Sequence, residues 1–98
     1  MRADQILAAA AQTFAERNAV YKDNWTQVGQ IMTALFPNGV HLKSEADFNK
    51  WHLFELAVVK LTRFANSGLT HRDSIHDIIV YAAMVEMLTD DEPLKGEK

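Results

Sequence analysis

The stretch KLTRFANSGLTHRDSIHDIIVY, residues 60–81, decides the fold, because it holds the end of one helix, a turn and the start of the next. Apolar residues recur at helical spacing on both sides of Gly68. Glycine readily adopts the left-handed backbone conformation that ends many helices. A connection this short predicts that the two helices run antiparallel, as a hairpin.

Two more helices precede this hairpin, since apolar residues keep helical spacing there and no stretch alternates with the period of a strand. We expect the first helix over residues 3–18, and the second from Asp23 or Asn24, as its N-cap, to Phe36. Pro37 ends the second helix because proline cannot continue the backbone hydrogen bonds. The expected inner stripe of the first helix consists of Ile6, Leu7, Ala10 and Phe14.

Capping boxes at Ser44–Asp47 and Thr70–Asp73 predict where the third and fourth helices begin, and we expect these helices to end near Asn66 and Leu88. Charged side chains are interleaved with large apolar ones around the third helix, which predicts a central position with neighbours on most sides. On the fourth helix, the side expected to meet the core consists of Ile75, Ile79 and Ala82.

The chain has 98 residues, of which 48% are hydrophobic, and this is enough for one core. We therefore expect an all-α, four-helix bundle-like single domain over residues 1–88, with helices three and four as a central antiparallel hairpin. The charged, proline-containing tail, residues 89–98, is expected to be disordered.

The composition excludes several classes of function. Without cysteine there is no disulfide, no thiolate catalysis and no cysteine-ligated zinc. A net charge of −3 argues against nucleic-acid binding through a broad basic surface. No apolar run is long enough to span a bilayer, and the N-terminus does not resemble a secretory signal. We therefore expect a cytoplasmic protein with no membrane partner, and the sequence gives no direct evidence for a nucleic-acid partner.

Four charged residues lie at similar heights across the predicted hairpin: Lys60 and Arg63 on the third helix, and Asp73 and Asp77 on the fourth. The two aspartates are four residues apart, so a helix turns both to one face. Charges in a half-buried seam usually come paired, because an unpaired buried charge is costly. One interpretation is therefore a structural ion-pair network that fixes the register of the two helices.

The other interpretation is a phosphate site. Carboxylates four residues apart on a helix can hold Mg²⁺, the one cofactor expected here, and a lysine and an arginine beside them can bind phosphate oxygens. The metal ligands would then be Asp77, Asp73 and Glu55. Aromatic rings in the segment between the first two helices can stack on a base, although the same rings can equally cap the core. The full set of candidate ligand-binding residues is Tyr21, Lys22, Trp25, Lys60, Arg63, Asp73, Asp77 and Tyr81.

Three motifs together resemble a group of small phage-encoded helical domains of unknown function, including the nucleotide-modification-associated type. They are Tyr-x-Asp-x-Trp (residues 21–25), Lys-x-x-Arg (residues 60–63) and Asp-x-x-x-Asp-x-x-x-Tyr (residues 73–81). The resemblance runs over about residues 14–87. It implies a protein that acts in the cytoplasm of a phage host.

The fourth helix is also similar to the closing helix of the MazG-like all-α nucleotide pyrophosphohydrolases, in which acidic residues followed by a tyrosine serve a Mg²⁺ site. That family implies a dimer or higher homo-oligomer that hydrolyses nucleoside triphosphates to monophosphates. Asp77 matches the metal-binding aspartate, and Asp73 approximately matches the acidic residue before it. The Glu-Glu-x-x-Glu cluster of the family is replaced by FELAV at residues 54–58, where Glu55 is the sole carboxylate, so the hydrolytic site is incomplete.

The sequence therefore predicts a homo-oligomeric helical protein that binds a nucleotide or a nucleotide-like phosphate compound. It acts either without turnover, as a sponge or an accessory of nucleotide metabolism, or as a Mg²⁺-dependent pyrophosphohydrolase, and no catalytic residue is assigned. The alternative from a different class is a protein–protein interaction module whose ion pairs are purely structural.

Overall fold

The computed structural model describes residues 2–89 and, of Tyr21, the backbone alone. Within that range all regular structure is helical and there is no strand, which confirms the predicted all-α fold. The helices are α1 (Ala3–Tyr21), α2 (Asn24–Leu35), α3 (Glu45–Asn66) and α4 (Arg72–Leu88). Of the expected tail, only Thr89 lies within the described residues.

The start of α3 is fixed by the predicted capping box. The backbone N–H of Asp47 donates to the Ser44 hydroxyl at 3.1 Å, and the Asp47 carboxylate accepts from the N–H of Ser44 at 3.2 Å and that of Lys43 at 3.1 Å. These two backbone hydrogen bonds stabilise the ionised carboxylate, so they hold the pKa of Asp47 below its usual value of 3.8.

The end of α3 also follows the sequence prediction. Gly68 has a φ of +74°, and its N–H donates to the carbonyl of Ala65 at 3.1 Å. The N–H of Leu69 reaches back to the carbonyl of Phe64 at 3.0 Å. This pair of hydrogen bonds is a Schellman motif, which satisfies two carbonyls that the last turn of a helix would leave without partners.

The predicted capping box at the start of α4 is wrong. The Thr70 hydroxyl donates to the carbonyl of Ser67 at 2.8 Å instead of capping the helix. The N-cap position is held by His71, whose side chain makes no capping hydrogen bond, and Asp73 therefore has no reciprocal role in a box. The Ser67 hydroxyl accepts from the N–H groups of Thr70 and His71, at 3.2 and 2.9 Å, and so organises this turn from the α3 side.

Helices α3 and α4 form the antiparallel hairpin and pack on each other more extensively than any other pair of helices. Their direction is evident from two contacts: Lys60 meets Asp77 at one height, and Val85 lies beside Phe54 at another.

The face that α4 turns to α3 differs from the expected one. Ile79, expected in the core, is 63% exposed. Ser74 is fully buried instead, and its small side chain, 2.6 Å from His71 Nδ1, lets the two helices approach closely. The expected inner residues Ile75, Ile79 and Ala82 all lie on the exposed side. The buried and half-buried residues of α4 are Ser74, Asp77, Ile78, Tyr81, Val85 and Leu88.

Helix α2 packs on α3, the other main helix contact in the described chain. At one end, the ring of Phe36 lies edge-on to Trp51 and Phe54, with centroids 5.5 and 5.9 Å away. Such edge-to-face pairs are a favoured aromatic geometry.

Two side-chain hydrogen bonds link the other end of α2 to α3. Asn24 Nδ2 donates to the Thr62 hydroxyl at 3.2 Å, and Asn66 Nδ2 donates to the Gln27 carboxamide oxygen at 2.8 Å. Thr62 is almost fully buried, so its hydroxyl needs such partners.

Helix α1 has no comparable packing on the rest of the described chain, which corrects the expectation that its stripe meets the core. Leu7 is 70% exposed, and Ile6 and Phe14 are more than half exposed. Among the side chains described in residues 2–89, Val58, at 5% exposed, is the one buried hydrophobic residue. The radius of gyration is 17.1 Å, against about 13 Å for a compact domain of this length.

Candidate functional site

Among the four charged residues of the hairpin, Lys60 and Asp77 form an ion pair. Lys60 Nζ lies 3.0 Å from Asp77 Oδ2, and the two side chains are 20% and 38% exposed. Asp73, one turn earlier on α4, is exposed. Arg63, one turn later on α3, points to a different place, a hollow beside the joint between α1 and α2.

This hollow, which we call the arginine pocket, has a volume of about 270 Å³. Trp25, which is 63% exposed, contributes an indole that a ligand can reach. Of the residues predicted from the sequence, it brings together Trp25 and Arg63. The lining residues are Arg17, Asn18, Asn24, Trp25 and Arg63.

The turn between α1 and α2 shapes the arginine pocket. Lys22 and Asp23 both have left-handed backbones, with φ of +53° and +60°. Asn18 holds this conformation, because its carbonyl accepts from the N–H of Lys22 at 2.9 Å and its side-chain oxygen accepts from the N–H of Asp23 at 3.1 Å. The predicted N-cap position of Asp23 is confirmed, but its side chain makes no capping hydrogen bond.

Asn24 is positioned by the core. Its amide donates to Thr62, whose own hydroxyl donates to the carbonyl of Val59 at 2.7 Å within α3. Thr62 lies next to Arg63 in the chain, so the same turn of α3 that places the guanidinium also fixes the carboxamide of Asn24.

The lining of the arginine pocket is chemically suited to an anion. Two guanidinium groups, which bind carboxylates and phosphates in a bidentate fork, face the same space as two carboxamides and an indole. No carboxylate is among those lining residues that belong to the described part of the chain. This local excess of positive charge contrasts with the net charge of −3 of the whole chain.

Sequence reasoning missed Arg17, Asn18 and Asn24. The available signal was a group of polar side chains, Arg-Asn and Asn-Trp, on either side of one short joint. Whether these side chains come together depends on how tightly the joint turns. Two consecutive residues with left-handed backbones decide this, and hydrophobic periodicity does not reveal them.

The remaining predicted residues lie outside the arginine pocket. Tyr81 lines a different hollow, of about 500 Å³, with Phe54 and Glu86. Lys22 is exposed in the turn, Glu55 is exposed on α3, and the side chain of Tyr21 lies outside the described atoms.

The expected metal ligands do not assemble. Within residues 2–89 no three His, Asp or Glu side chains are grouped closely enough to hold a metal ion. Asp77 already meets the Lys60 ammonium, and Glu55 is exposed on the other helix. These residues do not fit a three-carboxylate Mg²⁺ site, and Mg²⁺ held by Asp73 and Asp77 stays a prediction.

A second hollow, of about 290 Å³, is mainly apolar and contains none of the candidate residues. It lies over the aromatic cluster of Phe36, Trp51 and Phe54, with Asp47 and Lys50 at its edge. Because Asp47 is engaged in capping α3, this hollow offers a ligand little polar recognition.

No helix in the described range is both long enough and apolar enough to cross a bilayer. Comparison with models of protein families, with curated proteins and with solved structures found no match to this chain.

Proposed function

We propose that this protein binds a phosphate-bearing small molecule of the nucleotide class in the arginine pocket. The observation that carries the proposal is that two guanidinium groups and an exposed indole line one hollow. Arginine forks suit phosphate oxygens, and stacking of a base on an aromatic ring contributes about 1–3 kcal/mol.

In this proposal each residue that lines the arginine pocket has its own role in binding. Arg17 and Arg63 bind the phosphates, Trp25 stacks on the base, and the carboxamides of Asn18 and Asn24 supply further hydrogen bonds. At about 270 Å³, the arginine pocket is smaller than cavities that enclose a whole ligand, so it holds one part of the nucleotide and leaves the rest in water.

Binding without turnover is the form of the proposal that the lining favours. A hydrolytic site needs a base or a metal to activate water, and within residues 2–89 no carboxylate lines the arginine pocket. The pyrophosphohydrolase activity implied by the MazG-like resemblance is the alternative. It would require Asp73, Asp77 and Glu55 to act at some distance from the two arginines.

We also propose, from the sequence and the phage-type resemblance, that the protein is cytoplasmic and forms a homo-oligomer. The absence of cysteine suits a reducing compartment but does not require one.

Calorimetric titration with nucleoside triphosphates, nucleoside monophosphates and inorganic pyrophosphate tests the proposal. Arg17→Gln removes one exposed guanidinium from the arginine pocket. The lost charge-assisted hydrogen bonds should raise the Kd about 10- to 100-fold. Arg72→Gln removes another exposed arginine, one outside the arginine pocket, and should leave the Kd nearly unchanged.

Two results would contradict the proposal. One is the absence of saturable binding of any of these compounds, and the other is an equal loss of affinity in the Arg17 and Arg72 variants. Pyrophosphate release from a triphosphate in the presence of Mg²⁺ would instead support the enzymatic alternative.

A further inference from the structure

We propose that two copies of this chain associate through α1 and the outer face of α4. The α1 stripe is Ile6, Leu7, Ala10 and Phe14, and the outer face of α4 is Ile75, Ile79, Ala82, Ala83 and Met87. Both surfaces are mainly apolar and exposed in the single chain, and Arg72, His76 and Glu86 border the apolar centre of the α4 face.

The α1 stripe has the spacing of a helix that packs against another helix. Ile6, Ala10 and Phe14 recur every four residues and lie within one arc of the helix, with Leu7 beside them. The opposite side of α1 carries Gln5, Gln12 and Glu16, the polar face expected toward water. A helix of 19 residues that carries exposed large apolar side chains and has no extensive packing partner in the described chain is an incomplete element.

The outer face of α4 has the same character. Ile75, Ile79 and Ala82 follow a four-then-three spacing, which places them in a row suited to a neighbouring helix. Ile79 is 63% exposed and Met87 is 68% exposed. The small side chains of Ala82 and Ala83 in this row, and of Ala10 on α1, allow two helices to approach closely.

The solvent-accessible area of the single chain exceeds that of a compact monomer by an amount that a dimer interface can bury. The chain exposes 7820 Å², whereas a compact monomer of 11.1 kDa exposes about 5,700 Å². Counting the ten residues outside the described part as fully exposed, the upper bound, still leaves an excess of about 800 Å² per chain over a compact domain of the described length. A dimer that removed this excess would bury about 1,600 Å², the standard size of a specific protein–protein interface.

The partner that covers these two surfaces is a second copy of the chain, because the chain needs a partner whenever it is folded. With one buried hydrophobic residue in its described part, the single chain has little core to offset its conformational entropy. Each copy supplies both an α1 stripe and an outer face of α4, so a single two-fold axis can cover all four surfaces at once.

Cysteine protection tests the inference without disturbing the interface, because the natural chain has no cysteine. Ala10→Cys and Ala82→Cys place thiols on the two proposed surfaces, and Ala8→Cys places one on the opposite face of α1. All three alanines are exposed in the single chain. At micromolar concentration the first two thiols should be alkylated at least about tenfold more slowly than the third, because association removes them from solvent.

The mass in solution is measured on the same samples and should be twice 11.1 kDa. The inference is overturned by a mass of 11.1 kDa at every concentration or by equal alkylation of all three thiols. A doubled mass with both thiols unprotected also overturns it, since the dimer would then use another surface. None of these outcomes depends on nucleotide binding.

Discussion

The 3.0 Å contact between Lys60 and Asp77 is the smallest feature that joins α3 to α4. The sequence predicted that two cations and two anions would meet across the hairpin, and the structure shows this one pair while turning Arg63 toward the arginine pocket. Asp77 is thus positioned to fix the register of the hairpin, while Arg63, from the same group of four, belongs to the candidate site.

We predict that Asp77→Asn lowers the free energy of unfolding by about 1 kcal/mol, because the half-buried Lys60 ammonium loses its anionic partner. Urea unfolding of Lys60→Met, Asp77→Asn and the double variant measures the coupling between the two residues. Asp73→Asn, at an exposed position four residues earlier, should change stability by much less. If Asp77→Asn instead leaves the protein equally or more stable, Asp77 is a functional charge retained against stability.

Asp47 links the stability of α3 to pH. Its pKa is lowered in the folded chain, so below the usual pKa the unfolded chain binds the additional proton, and stability is lost as pH falls through the folded pKa. We predict that the urea midpoint falls on acidification below about pH 4. In Asp47→Asn the fall should be shallower, with lower stability at neutral pH. An identical pH profile in the two proteins would contradict this role.

At the scale of the element, local signals predicted the ends of α3 correctly. The Ser44 box and the Gly68 turn use hydrogen bonds between residues at most five apart, which the sequence displays directly. The Thr70 box failed because Ser67, from the preceding turn, competes for the same part of the chain.

The two glycines in helical regions should respond to alanine in opposite directions. Gly68→Ala should lower the free energy of unfolding by about 1 kcal/mol, because a φ of +74° strains any residue with a Cβ. Gly29→Ala, inside α2, should raise it by about 0.5–1 kcal/mol through helix propensity. Neither added Cβ meets an atom within 4 Å, so backbone conformation alone decides the sign. Urea unfolding of both variants checks the prediction, and equal signs would contradict it.

The orientation of α4 was not predictable from its own sequence. Two apolar stripes, one through Ile75 and Ile79 and one through Ile78 and Val85, compete on this helix. The stripe of Ile78 and Val85 faces α3, because this orientation also buries Ser74 and pairs Asp77 with Lys60. Both are tertiary interactions. The same limit applies to Arg17, whose place beside Arg63 depends on contacts across the joint between α1 and α2.

At the scale of the whole molecule, the elongated shape and the exposed apolar helices make stability a property of the assembly. We predict that the thermal unfolding midpoint rises with protein concentration, because association stabilises the folded chain by mass action. Ile79→Glu should abolish this dependence. Val40→Glu, at an exposed apolar residue between α2 and α3, should retain it. A midpoint independent of concentration in the natural protein would contradict the prediction.

The two amide contacts between α2 and α3 have a consequence for the shape of the arginine pocket. Asn24 with Thr62, and Gln27 with Asn66, form two side-chain hydrogen bonds along one helix interface. Sliding α2 by one helical turn, about 5.4 Å, would break both hydrogen bonds together, at a cost of about 0.5–1.5 kcal/mol each. Helix α2 therefore has one position along α3. Trp25 follows Asn24 in the chain, so it takes the same place beside Arg63 each time the chain folds.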